Sequence, residues 1–300
     1  MATIDPDEMQ FSFTRYLLSK QSVDDRALNR HVLEALKAHL PAQPIRIIEM
    51  GAGIGTMLRR LVRWDVFQHG EYVLVDQMQE NIEFASDWLP QWAEEAGLRV
   101  EAAGPRELRL LDVSHDVRVH LEQADVFDYI RANRDPADLL IAHAVLDLLH
   151  MPASMQELLS LTKGLAWLTI NFDGVTSLEP LVDAALDARI ERLYHASMDA
   201  RPTGGDSQSG RHLFAHLRRA GAEILAAGAS DWVVHAVGGT YPDDEAYFLR
   251  CILRFFEESL TGNAELDPGA FAGWQEERRK QIERGELVYI AHQMDFLVRR

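Results

Sequence analysis

IRIIEMGAGIGT, residues Ile45–Thr56, passes from a short apolar run through an acid, Glu49, into a loop with glycine at every second position. A helical pattern, MLRRLVRWDVF, follows Gly51, Gly53 and Gly55. Strand, glycine turn and helix in that order form the first unit of a nucleotide-binding α/β sheet, because residues without side chains let the backbone turn sharply and approach a ligand closely. The spacing separates ligand classes. A dinucleotide fingerprint, G-x-G-x-x-G, would need its third glycine where Thr56 stands, and it falls one residue early at Gly55. A P-loop would carry Gly-Lys-Ser/Thr, and this loop holds no lysine. A ligand without phosphates is the expectation.

EMGAGIGT resembles motif I of the class I S-adenosylmethionine-dependent methyltransferases, acid-x-Gly-x-Gly-x-Gly. Three later strand ends follow in the order that family requires: EYVLVD ending at Asp76, RVHLEQADV over Arg118–Val126, and ADLLIAH ending at His143. The resemblance implies S-adenosyl-L-methionine as cofactor, with Glu49, Gly51, Ala52, Gly53 and Gly55 around it. A carboxylate at the tip of the second strand suits two ribose hydroxyls, since it accepts two hydrogen bonds at once, and this assigns Asp76. Gln77 and Met78 would flank the adenosine. Asp125, with Val126, takes the position where the family often holds the adenine amino group.

The rest of the chain completes the pattern. The expected fold is a seven-stranded, mostly parallel sheet with helices on both faces and an antiparallel last strand. Residues 1–44 form an N-terminal helical lid segment ahead of a methyltransferase domain at 45–300. Within that domain, two β-like runs around Gly104-Pro105 predict an added hairpin at about 98–113. GLAWLTINF at 164–172 is the fifth strand, and a substrate-side insertion at about 173–209 opens with a loop, FDGVTSLEP. Residues 222–237 supply the sixth strand region and ELVYIAHQMDFLVRR the last, which the family inserts between strands five and six.

Catalytic candidates lie after the fourth strand. A sulfonium methyl is already electrophilic, so alignment of a nucleophile does most of the work, and a base is needed only where the nucleophile must lose a proton. His143, at the rim where open α/β sheets bind ligands, is expected to face the cofactor's methyl end or the acceptor. His150 is a second candidate base, and Asp147 reads as a helix-start residue. Arg15 and Tyr16, in the expected lid, are candidates for reaching the methionine carboxylate or the acceptor, and Asn171, Asp173, Tyr194 and His195 for lining the acceptor side. Trp232 belongs to the core or the pocket wall. His212 and His216, at i and i+4, lack a nearby third ligand, so no metal is expected.

Composition narrows the partners. A net charge of −17 argues against tracking a nucleic-acid backbone, and a 47% hydrophobic content supports a large core. No apolar run of about 18 residues predicts a membrane span, and the polar start MATIDPDEMQ does not read as a signal peptide. The lone Cys251 sits among apolar residues at helical spacing and reads as core. The expectation is a cytoplasmic methyltransferase, monomer or homodimer, carrying out O- or N-methylation of a small-molecule acceptor. The alternatives are a protein or RNA methyltransferase, or a non-catalytic cofactor-binding protein.

Overall fold

A computed structural model describes residues 11–132, 135–151, 153–202 and 204–300. The start that bears on the signal-peptide expectation, residues 1–10, lies outside the described residues. The N-terminal segment folds into α1 (Phe13–Ser19), α2 (Gln21–Ala27) and α3 (Arg30–His39). The Ser12 hydroxyl accepts from the Arg15 N–H and starts α1; the Asn29 side chain does the same for α3 through Val32.

The glycine stretch forms β1 (Ile45–Met50), a turn, and α4 (Thr56–Arg63), followed by β2 (His69–Asp76) and α5 (Gln79–Glu95). The hairpin is β3 (Arg99–Gly104) and β4 (Glu107–Leu111); β5 (Asp116–Gln123), α6 (Val126–Ala132) and β6 (Ala137–His143) come next. A single-turn 3-10 helix at Leu146–Leu148 leads to α7 (Ala153–Leu159) and β7 (Thr162–Glu179). The chain closes with α8 (Ala184–Asp199), α9 (Ser209–Arg219), β8 (Glu223–Ala229), β9 (Trp232–Val234), α10 (Glu245–Leu260), α11 (Pro268–Glu283) and β10 (Val288–Arg299).

Among the described residues one sheet runs β3-β4-β5-β2-β1-β6-β7-β10-β8, with β9 beside β10. Without the hairpin and β9, its seven core strands stand in the chain order 3-2-1-4-5-7-6. The pairs from β5 to β7 are parallel, while β10 runs antiparallel to both β7 and β8. This is the mostly parallel sheet with an antiparallel last strand that the resemblance implies. The count of ten against the expected seven has two sources: the hairpin pairs directly with β5, and the sixth strand region breaks at Ser230–Asp231 into β8 and β9.

Alternation along the central strands sorts side chains between two cores. Ile47, Leu74, Leu139, Ile141 and Trp167 face α3, α4, α5, α10 and α11. Ile48, Met50, Val73, Val75, Leu140 and Leu168 face α7 and α9.

One boundary differs from expectation. FDGVTSLEP is strand rather than loop through Glu179, because Thr176–Glu179 pair with Val288–Ala291 of β10. Thr176 and Leu178 are buried while Val175 and Glu179 are exposed, the period-two pattern of a half-buried strand.

Candidate functional site

The glycine loop sits at the carboxyl ends of β1 and β2. Gly51, Gly53 and Gly55 all take left-handed φ values, +65°, +56° and +86°, which a side chain would strain. The loop is tied to the sheet by the Ala52 N–H, which donates to the Val75 carbonyl at 3.0 Å. It is tied to Asp76 by the Gly53 N–H, which donates to Oδ2 at 2.8 Å. The other carboxylate oxygen of Asp76 accepts from the Met78 N–H at 2.8 Å and from Asn81 Nδ2 at 3.0 Å. Burial raises the Asp76 pKa while these three donors hold it down. Three of the roughly four lone-pair positions of the carboxylate are thus used inside the chain. Asp76 therefore braces the loop from the end of β2.

The open side of the loop is covered by apolar side chains. A Cβ on Gly53 would lie 3.1 Å from Leu17 Cδ1 of α1, and one on Gly51 would lie 2.7 Å from Val145 Cγ2 after β6. Leu17 and Val145 thus stand against the loop where side chains on Gly53 and Gly51 would project.

Glu49, expected around the cofactor, is buried at the end of β1. It is 1% exposed and accepts a hydrogen bond from the Tyr72 hydroxyl. Burial pushes its carboxyl up to about 8, against the opposing effects of Tyr72 and Arg60. The folded chain therefore holds this proton at neutral pH, whereas the unfolded chain releases it near pH 4.5. Because the folded state binds more protons between those values, this group's contribution to stability falls as pH rises from about 4.5 to about 8. Glu49→Gln keeps an acceptor for Tyr72. Its stability relative to the parent is expected to improve steadily across that window. Thermal midpoints near the two ends of the window check this; an unchanged difference would contradict a buried proton.

His143 ends β6 as expected but is fully engaged. Its Nε2 lies 3.0 Å from Asp24 Oδ2 and its Nδ1 lies 2.8 Å from Thr169 Oγ1. Burial lowers its pKa to about 4, against the opposing effect of Asp24, so the ring is neutral at pH 7. The carboxylate neighbour assigns the proton to Nε2, which donates to Asp24, leaving Nδ1 to accept from the Thr169 hydroxyl.

Asp24 is the centre of this cluster and went unsingled in the sequence. It is fully buried on α2. Oδ2 meets His143, Arg60 Nη2 at 3.2 Å and Lys20 Nζ at 3.4 Å, and Oδ1 accepts from Trp232 Nε1 at 2.9 Å. Burial alone would push its carboxyl up; Lys20, His143 and Arg60 outweigh that and hold it far below the usual carboxylate range. Trp232, 8% exposed and edge-on to Phe248, therefore serves both core and site.

The remaining candidates separate. Gln77 is exposed beside Met78 at the end of β2. Asp125 is also exposed, and its Oδ1 accepts from the Phe127 and Asp128 N–H groups, so it caps α6, whose first residue is Val126. Asp125→Ala is expected to cost about 1 kcal/mol from loss of that cap, measurable by urea unfolding. His150 is exposed in the turn after the 3-10 helix, and its carbonyl accepts from Ser154.

On the acceptor side, Asn171 donates to the Met294 carbonyl within the sheet, and Asp173 on β7 accepts from the backbone and Nε of Arg211, both at 2.8 Å. These contacts turn both residues to structural use; the loop expected to present Asp173 is a strand. Tyr194 stacks on Phe256 at 3.9 Å, and Tyr16 stacks on Phe248 at 5.9 Å. Burial raises the pKa of the Tyr16 phenol, and Asp24, Tyr289 and Tyr194 add to that rise; burial and Tyr194 raise that of Tyr289. Arg15 pairs with Asp244, and His195 meets Thr176 Oγ1 at 3.1 Å. His212 pairs with Asp206, and among the described residues no group of three His, Cys, Asp or Glu is placed to hold a metal ion. Cys251 is buried with its thiol pushed up to about 12 by burial. No helix among the described residues is long and apolar enough to cross a membrane.

No family model and no curated protein matches the chain. Solved structures are similar to it in fold. A cyclopropane synthase from Mycobacterium tuberculosis is 12% identical, covering 90% of this chain and 83% of its own, with a TM-score of 0.45. An S-adenosylmethionine-dependent methyltransferase from Thiobacillus denitrificans, solved with S-adenosyl-L-homocysteine, is 14% identical, covering 97% and 99%, with a TM-score of 0.46. A 4+2 cyclase is 17% identical, covering 90% and 80%, with a TM-score of 0.43. Likeness at these identities is likeness of fold.

Proposed function

We propose that the chain is a methyltransferase that uses S-adenosyl-L-methionine to methylate an oxygen or nitrogen of a small-molecule acceptor. The observation that carries the reading is the bond from the Gly53 N–H to Asp76. It joins an alternate-glycine loop to an acid at the tip of the second strand, at the position where open α/β sheets bind nucleosides. The residues fit the cofactor once Leu17 and Val145 move aside, since both covers are side chains rather than backbone. Asp76 and the loop N–H groups would hold the ribose, with Gln77 and Asp125 at the adenine end. When bound, the cofactor supplies an electrophilic methyl group on sulfur. The protein's part is to orient the acceptor, and Tyr16 and Tyr194 are the acceptor-side residues in this reading. His143 becomes available as a proton acceptor at Nδ1 when its bond from the Thr169 hydroxyl is given up. The acidic balance favours a small acceptor over RNA.

A second reading is a non-catalytic protein on the same fold, and it is favoured by the close approach of Leu17 and Val145 to Gly53 and Gly51. Calorimetric titration with S-adenosylmethionine, S-adenosylhomocysteine and NAD separates the two. Binding of both sulfur ligands without NAD is the expected result. Absence of binding by all three in folded protein would favour the second reading.

A further inference from the structure

The polar groups around Asp24 divide into those that move with it and those that stay with the sheet. Lys20 is four residues before Asp24 on the same N-terminal pair of helices. Arg60 belongs to α4, His143 to the end of β6 and Trp232 to β9. These three elements aim donors at one carboxylate: Arg60 Nη2 at 3.2 Å, His143 Nε2 at 3.0 Å and Trp232 Nε1 at 2.9 Å. Arg60 is 1% exposed, and three of its four acceptors come from α2: the Gln21 carbonyl, Asp24 and Asp25. Thr56 Oγ1 is the fourth, at the start of the helix that follows the glycine loop.

We infer that Arg60, His143 and Trp232 form a carboxylate-binding site beside the glycine loop, and that Asp24 fills it from within the chain until a ligand carboxylate replaces it. The proposal rests on the cofactor reading for the source of that carboxylate, the amino-acid tail of the cofactor. The charges on each side make the exchange feasible. When α2 withdraws, Asp24 keeps Lys20 as its partner. Arg60 keeps only the neutral Thr56 hydroxyl, and a buried guanidinium left in that state is costly. An incoming carboxylate would restore a charge-assisted pair. The same withdrawal of the N-terminal helices takes Leu17 off Gly53, so the nucleoside cradle and the carboxylate site open together. α1 and α2 are held down by ion pairs, Arg15–Asp244 and Arg26–Glu245 among them, and by the apolar packing of Tyr16, Val23 and Ala27, so withdrawal has to be driven by the ligand carboxylate.

Two measurements on the full chain test this. The first is hydrogen exchange of residues 13–28 in sodium acetate against sodium chloride at matched ionic strength, which needs no cofactor. Faster exchange in acetate is expected, and equal exchange overturns the proposal. The second compares S-adenosylhomocysteine with 5′-methylthioadenosine, which lacks the carboxylate, in the parent and in Asp24→Asn. Removing the internal competitor raises the competent fraction, so S-adenosylhomocysteine is expected to bind about tenfold tighter to the variant, with a smaller gain for 5′-methylthioadenosine. Equal gains for the two ligands would overturn the carboxylate assignment while leaving the cofactor reading intact. Failure of both ligands to bind either protein, with exchange still faster in acetate, would sink the cofactor reading and leave the site standing. If Asp24→Asn does not fold, the exchange measurement in acetate decides the proposal on the parent chain.

Discussion

Asp24→Ala is expected to lower the free energy of unfolding by about 3–5 kcal/mol, the cost of stranding a buried charge partner. The loss has three parts. Arg60 and Lys20, 1% and 6% exposed, lose the carboxylate they share. The Trp232 and His143 N–H groups lose their only acceptor given by the geometry. A cavity opens between α2 and the sheet. Asp25→Ala is the control. Asp25 also bonds Arg60 but is partly in water, so its loss should cost about 1 kcal/mol or less. Urea unfolding of the three proteins gives the comparison, and an Asp24→Ala loss as small as that of Asp25→Ala would show the cluster to be hydrated. The same pairing sets a direction with pH. The Asp24 carboxyl is held far below its unfolded value, so its contribution is complete above the unfolded pKa of 3.8 and is lost as pH falls further.

Asp76→Ala is expected to reduce S-adenosylmethionine affinity by about 1.5–3 kcal/mol, roughly 10- to 150-fold, and to destabilise the chain by about 1–3 kcal/mol. The two effects have separate origins. Stability falls because the Gly53 and Met78 N–H groups and Asn81 lose an acceptor they share. Affinity falls because the remaining lone pair is removed and the loop that it braces is loosened. Asp76→Asn distinguishes them: it keeps the volume and one acceptor oxygen, but turns an N–H₂ group toward donors. Calorimetry beside thermal unfolding checks both. A folded Asp76→Ala chain with undiminished affinity would remove Asp76 from the ribose site.

What the sequence disclosed and what it concealed follow from how local each signal is. β1, its glycine loop and α4 were legible because a short apolar run, left-handed turn residues and a helical period leave marks within about 20 neighbouring positions. The strand order was reachable through the acids at strand ends and the resemblance they carry. Residues 173–179 were not, because Gly174, Thr176 and Ser177 make a turn-like composition. They become strand only through partners more than 100 residues later, on β10. Asp24 and Arg60 were hidden for a similar reason. In QSVDDRA and TMLRRLVR they look like the solvated faces of ordinary helices. Nothing near them in sequence says that the two faces meet under a loop. Asp125 shows the reverse case: a strand-end acid fits the family position and also fits a helix cap, and the local hydrogen bonds reveal the second use without touching the first.

The antiparallel β10 bonds to β7, β8 and β9 at once. β8 and β9 thus depend on a strand that is synthesised after both of them and after β7. Until Val288–Arg299 has emerged, β8 and β9 have no strand to join and β7 remains an edge with hydrogen-bonding groups unpaired. The left half, β5-β2-β1-β6, can pair much earlier. Such a chain spends its synthesis with a half-built sheet exposed, and pairing across distant sequence is slow.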